Sequence, residues 1–228
     1  MNQILIYADS LTWGIIPETR KRLDFSSRWP GVLENVLNSS GLKVRVIENC
    51  LNGRRTAWDD PFKDGRDGSK GLSQVIEMHS PLDLVILMLG TNDFQCTHRL
   101  NAHLSAQGMA KLINIVRTAP IEPGMPAPGI LVVCPPRITA PKGSMAQKFE
   151  GAERQYGALP DELAQVCDTM DVHFFDANRV VRSSAVDGIH LDKAEHRVLG
   201  EALANEIQKL RNIENAFRSK GISEDLND

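Results

Sequence analysis

The chain has 228 residues, of which 42% are hydrophobic and 24% charged, with a formal net charge of -3. That length suits one α/β domain able to bury a sizeable core, and the composition is ordinary for a soluble protein. The charge excludes the basic excess that marks nucleic-acid binding or an anionic membrane partner.

Residues 1–7 lack a cationic start and carry too short an apolar run for a signal core, so they read as the first strand, over 4–7. Trp29, Val32, Leu33, Val36 and Leu37 then fall at i, i+3, i+4, i+7 and i+8, one face of a helix. A strand over 44–47, a helix over roughly 73–79 and a strand over 84–89 follow. The last is the longest apolar stretch and is far too short to span a bilayer. A helix over roughly 101–118 leads into the Pro- and Gly-dense connection 119–129, a strand over 130–134 and a second connection over 135–144. The spacing predicts one helix over roughly 146–170, a fifth strand over 172–175 and a final helix entered through the capping pair Asp192 and Glu195. Ala194, Val198, Leu199, Ala202, Leu203, Ile207 and Leu210 keep one face of that helix apolar. Residues 211–228 are polar and charged and are expected to fray or project, leaving a single domain over 1–210 and a charged tail over 211–228.

The order βαβαβαβαβα implies a doubly wound parallel sheet of five strands with right-handed crossovers, buried on both faces. Such sheets carry their sites at the carboxyl ends of the strands. The chemically suggestive residues lie there: Ala8-Asp9-Ser10 after the first strand, Asn52-Gly53 after the second and Gly90-Thr91-Asn92-Asp93 after the third. Asp187 and His190 fall between the fifth strand and the last helix. Cys50, Cys96, Cys134 and Cys167 have no CxxC spacing and read as reduced thiols of a cytoplasmic protein.

A serine hydroxyl needs a base to become a nucleophile, and donors aimed at the oxyanion it creates. In Asp187-Gly188-Ile189-His190, the carboxylate lies three residues before the imidazole, close enough to fix its tautomer and leave Nε2 free as a base. Ser10 N–H, Gly53 N–H and the Asn92 amide are candidate oxyanion donors. Each residue alone is equally a turn, cap or surface residue; together, at one sheet edge, they form an acyl-transfer constellation. Asp9 is expected to brace the serine turn and Asp93 to anchor its loop, with Asp176 a more distant rival to Asp187. Trp13 and Phe94 flank the site and either wall an acyl pocket or pack in the core. His98 and His103, five apart, suit neither one helix face nor a metal pair and read as surface residues. There is no P-loop and no GxGxxG, which argues against nucleotide use.

Ala8-Asp9-Ser10-Leu11, Gly53, Gly90-Thr91-Asn92-Asp93 and Asp187-Gly188-Ile189-His190 resemble, in order and separation, the four sequence blocks of the SGNH/GDSL hydrolase superfamily. The longer strings around them, over 9–14, 82–93, 174–177 and 186–190, are similar to its bacterial arylesterase/acyltransferase branch. The resemblance implies a flavodoxin-like three-layer α/β/α sandwich. It also implies a Ser10–His190–Asp187 triad acting on short acyl or aryl esters, with no metal or cofactor. Transfer to alcohols and deacetylation of acylated carbohydrates are alternatives within the family. Homo-oligomers whose loops wall the active site are common in that branch. A non-catalytic binding domain on the same fold is the rival outside it. The family's first block begins with glycine where this chain has Ala8, a change that costs roughly 1 kcal/mol only if φ is positive there. Ala8 is therefore expected to be extended.

Overall fold

The computed structural model describes residues 2–19, 21–98 and 100–224, with backbone alone from residue 211 onward. Five strands form one sheet: β1 (Asn2–Ala8), β2 (Val44–Cys50), β3 (Leu84–Met88), β4 (Gly129–Cys134) and β5 (His173–Asp176). All neighbours are parallel, in the order β2-β1-β3-β4-β5. This is the flavodoxin-like doubly wound arrangement. Central strands covered on both faces are continuously apolar: Leu5, Ile6, Val85, Ile86, Leu87, Leu131, Val132 and Val133 are fully buried. At the edge, β2 instead alternates through buried Val44, exposed Arg45 and buried Val46.

Among the described residues, seven α-helices accompany the sheet: α1 (Ser10–Trp13), α2 (Trp29–Ser39), α3 (Leu72–His79), α4 (Ala102–Arg117), α5 (Ala152–Gln155), α6 (Leu159–Thr169) and α7 (Lys193–Glu224). α2 packs against α7, whereas α4 packs against α3 and α6. The single helix expected over 146–170 is broken into a turn region, α5 and α6. Gly151 adopts a left-handed φ of 77°, and Pro160 sits in the first turn of α6, where its missing N–H costs nothing. Asp192 and Glu195 do stand at the start of α7. Their carboxylates accept from Ser184 Oγ at 2.9 Å and Arg182 N at 3.0 Å, which ties the preceding loop to the helix. The backbone of α7 runs on to Glu224, through most of the expected tail. The side chains of that segment, and residues 225–228, lie outside the described residues.

Two contacts between elements are unusually constrained. His196 of α7 is fully buried and accepts from Trp29 N of α2 through Nδ1, at 3.3 Å. Nε2 therefore carries the hydrogen. Burial, reinforced by the nearby positive Arg28 and by His190, pushes the imidazole down to about 4 from its usual 6.5. In α4, Gly108 faces buried Thr56, and a Cβ there would stand 2.0 Å from Thr56 Oγ1.

The unfolded chain protonates His196 near pH 6.5 and the folded chain only near 4, so its stabilising effect is full above 6.5 and lost as pH falls towards 4. The loss is on the order of 3 kcal/mol. His196→Asn keeps an acceptor for Trp29 N and has no such titration. Urea midpoints should show wild type losing ground to the variant between pH 7 and 4.5; a constant difference would contradict the assignment. Gly108→Ala should lower Tm by an amount corresponding to about 1–2 kcal/mol, because the clash outweighs the roughly 1 kcal/mol gained in helix propensity. An unchanged or raised Tm would show that Thr56 yields.

Candidate active site

β1 ends in Ala8, extended and fully buried between Cys50 and Met88. The described non-glycine residues with positive φ are Glu18 and Asp171, so the extra methyl at Ala8 costs no backbone strain. Asp9 then caps α1, its Oδ1 accepting from Leu11 N at 2.9 Å. Ser10 opens that helix. Its Oγ lies 3.2 Å from His190 Nε2, and His190 Nδ1 lies 2.6 Å from Asp187 Oδ2. A carboxylate can only accept, so the hydrogen between them belongs to Nδ1, and Nε2 presents its lone pair to the serine. Ser10 and His190 are 6% and 5% exposed, which leaves the pair just reachable from solvent.

Asp187 is held from several sides. Its Oδ1 accepts from the amides of Ile189 and His190, each at 2.9 Å. Burial alone would push its carboxyl up. The hydrogen bond and charge of His190, with those two amides, outweigh burial and leave it below the usual range. Gly188 allows the turn with φ 78°, and a Cβ there would meet Ala140 O at 2.5 Å. The connection after β4 clasps this turn, with Thr139 N donating to Gly188 O and Lys142 N to Asp187 O, both at 3.0 Å.

Gly53 follows β2 in a turn closed by Arg54 N donating to Leu51 O at 2.9 Å, with φ 86° at the glycine. A positive φ at the third turn position is what favours glycine there. Among the described residues, no acceptor is recorded for the N–H of Ser10 or of Gly53. Asn92 lies in a 3-10 turn (Thr91–Phe94) entered through Gly90 at φ 126°, a conformation glycine alone tolerates. Its Nδ2 donates to Asp9 Oδ2 at 2.9 Å and to Arg54 O at 3.1 Å. The amide thus sits between the residue before Ser10 and the residue after Gly53.

The remaining carboxylates separate by environment. Asp9 is buried, and burial pushes it up to about 6 despite the Leu11 amide, His190, Asn92 and Arg54. Asp93 is raised by burial too; it anchors Thr56 through N (3.0 Å) and Oγ1 (2.7 Å), and Ser105 through Oγ (2.7 Å). Asp176 accepts from Asn178 N and Nδ2, and it is Asp187 that pairs with His190.

Two expected pocket walls fare differently. Phe94 is fully buried and edge-on to Tyr156 at 5.6 Å between centroids, so it belongs to the core and walls no open pocket. Trp13 is half-buried with the Arg22 guanidinium 4.7 Å over its ring. His98 Nε2 contacts Asp59 O at 2.7 Å, while His103 Nδ1 contacts Glu162 at 3.1 Å, so the two share no partner. Two surface grooves, between α2 and α7 and between α4 and α6, are lined by neither Ser10 nor His190. Among the described residues, no group of three or more His, Cys, Asp or Glu could hold a metal ion, and no helix is long and apolar enough to cross a membrane.

Arg54, Arg55 and Gln95 join this site without having been singled out from the sequence. Gln95 Nε2 donates to Asn92 Oδ1 at 2.7 Å, and Arg55 Nη2 donates to Gln95 Oε1 at 3.0 Å. The i, i+3 spacing of Asn92 and Gln95 was a usable signal, because positions three apart eclipse in a 3-10 turn.

The GDSL-like Lipase/Acylhydrolase family matches residues 9–198. No curated protein matches the sequence. The inhibitor-bound aryl esterase of M. smegmatis is 37% identical, superposes with a TM-score of 0.87, and is covered over 92% of this chain and 100% of its own. A carbohydrate acetylesterase family member from Sinorhizobium meliloti is 35% identical, with a TM-score of 0.86 and coverage of 92% and 98%. The fold, the serine at the end of its first strand and these matches agree: the chain belongs to the GDSL-like lipase/acylhydrolase family and is a carboxylic ester hydrolase.

Proposed function

We propose that the protein is a serine esterase for short acyl or aryl esters, working through Ser10, His190 and Asp187 and a covalent acyl-enzyme. The observation that carries this is the unbroken chain from Ser10 Oγ through His190 to Asp187, at 3.2 and 2.6 Å. His190 Nε2 takes the serine proton as Oγ bonds to the ester carbonyl carbon. The carbonyl oxygen becomes an oxyanion facing Ser10 N–H, Gly53 N–H and the Asn92 amide. His190 returns the proton to the departing alcohol as the C–O bond breaks. Water then gives its proton to His190 as its oxygen bonds to the acyl carbon, and the acid is released as the acyl–Oγ bond breaks and His190 returns that proton to Ser10 Oγ.

Deacetylation of an acylated carbohydrate is the second reading, supported by the acetylesterase among the structural neighbours. Transfer to an alcohol uses the same acyl-enzyme with a different acceptor. In a homo-oligomer, exposed Phe62 (84%) and Val186 (52%) would be natural contact residues. The unpaired state of all four cysteines fits a reducing cytoplasm.

Ser10→Ala should lower kcat by about 10³-fold or more with a short aryl ester, and a serine-directed phosphonate should label wild type once, at Ser10. Near-wild-type turnover by Ser10→Ala, or labelling elsewhere, refutes the mechanism. Asp187→Asn leaves the imidazole without its acceptor and should cost roughly 10³- to 10⁴-fold in kcat. Product analysis in a water–alcohol mixture separates hydrolysis from transfer.

A further inference from the structure

We propose that Arg55 and Gln95 are positioning residues that fix which end of the Asn92 amide faces the oxyanion. This rests on the reading of Asn92 as an oxyanion donor. A buried side-chain amide has two orientations that differ only in exchanging oxygen and nitrogen, and its neighbours decide between them. Arginine has donors and no acceptor, so its partner must accept. Arg55 Nη2 donates to Gln95 Oε1 at 3.0 Å and to Thr97 Oγ1 at 3.0 Å. The oxygen of Gln95 is thereby committed to Arg55, and its nitrogen is turned towards Asn92. Gln95 Nε2 donates to Asn92 Oδ1 at 2.7 Å, which commits the Asn92 oxygen in turn. The Asn92 nitrogen is left to donate to Asp9 Oδ2 and Arg54 O, which belong to the residue before Ser10 and the residue after Gly53 in the chain. Polarity passes from a guanidinium through two amides to the reacting centre.

The position of Arg55 is otherwise hard to explain. Its side chain is fully buried, its nearest carboxylate is Asp60 at 3.6 Å, and its Nε and Nη1 have no partner among the described residues. An apolar side chain would fill the same volume without the desolvation cost of a buried charge. What an apolar side chain lacks is an obligatory donor. Both hydrogens of Asn92 are also engaged, so an oxyanion must take over or share one of them, and the amide has to present its nitrogen to do so. A reversed amide would put a carbonyl oxygen against the oxyanion.

The test is a pair of near-isosteric variants with steady-state kinetics on a short aryl ester. Gln95→Glu replaces the donor facing Asn92 Oδ1 with an acceptor, while Gln95→Met removes the donor and adds no acceptor. The expected order of kcat is wild type, then Gln95→Met at about tenfold lower, then Gln95→Glu at about 100-fold lower, with KM within about threefold throughout. Removing one oxyanion donor elsewhere costs about 10²- to 10³-fold in kcat. A merely structural role predicts losses that follow Tm and fall on KM as well. A folded Gln95→Glu with kcat within about threefold of wild type overturns the proposal. If Gln95→Glu does not fold, Gln95→Met decides: a fall of threefold or more in kcat at unchanged KM supports it, and an unchanged kcat overturns it. Phosphonate labelling of wild-type Ser10 separates the two levels. Labelling with an insensitive Gln95 removes the relay alone, and absence of labelling removes the relay together with the mechanism.

Discussion

The side-chain amide of Asn92 joins the ends of three strands. Its nitrogen donates to Asp9, which follows β1, and to the carbonyl of Arg54, which follows β2, while its own backbone follows β3. The sheet alone brings these chain ends to one edge, but parallel ladders say nothing about the loops beyond them. Asp93, next in sequence, repeats the connection one layer deeper by holding Thr56 and Ser105. Two consecutive residues thus lock the loop after β2 to the turn after β3. The candidate donors Ser10 N–H and Gly53 N–H are each one residue from an Asn92 partner, so the placement of both depends on this clip.

The carboxylates show how one fold separates similar groups. Asp187 accepts two backbone amides and faces an imidazole, and it stays ionised below the usual range. Asp9 has one backbone donor and one amide for company in a fully buried place, so desolvation prevails and raises it. The carboxylate that faces the imidazole is the one held below the usual range, and the one beside Ser10 is the one raised. That division agrees with the esterase reading: an ionised Asp187 can only accept, which holds the hydrogen of His190 on Nδ1, whereas a protonated acid could also donate.

The strands were legible in the sequence because burial on both faces makes a continuous apolar run. The break within 146–170 was not, because helical periodicity persists across it while Gly151 turns left-handed. Ser10, Asp187 and His190 were legible through local spacing and through blocks that recur in a family. Phe94 stayed open between pocket wall and core because adjacency to Asn92 in sequence does not fix direction: two positions on, the ring points into the core against Tyr156. Gln95, one further on, points back to Asn92. Arg55 was beyond reach, since its partner is forty residues away and nothing in a local string announces a buried arginine.

The strain placed on ionisable groups near the site also has a compensating arrangement. Asp9 is raised to about 6 from 3.8, so the folded chain binds its proton more tightly, and its stabilising contribution is full below 3.8 and lost as pH rises through 6. His196 is lowered to about 4 from 6.5, so its contribution is full above 6.5 and lost as pH falls through 4. Between pH 4 and 6 the two slopes oppose each other and are similar in size, each on the order of 3 kcal/mol across its window. Mild acid therefore relieves one buried group while it strains the other. Asp9 stands beside Ser10, and His196 ties α7, whose start follows His190, to α2. The chain can hold a fully buried carboxylate next to Ser10 with little net dependence of stability on pH from this pair.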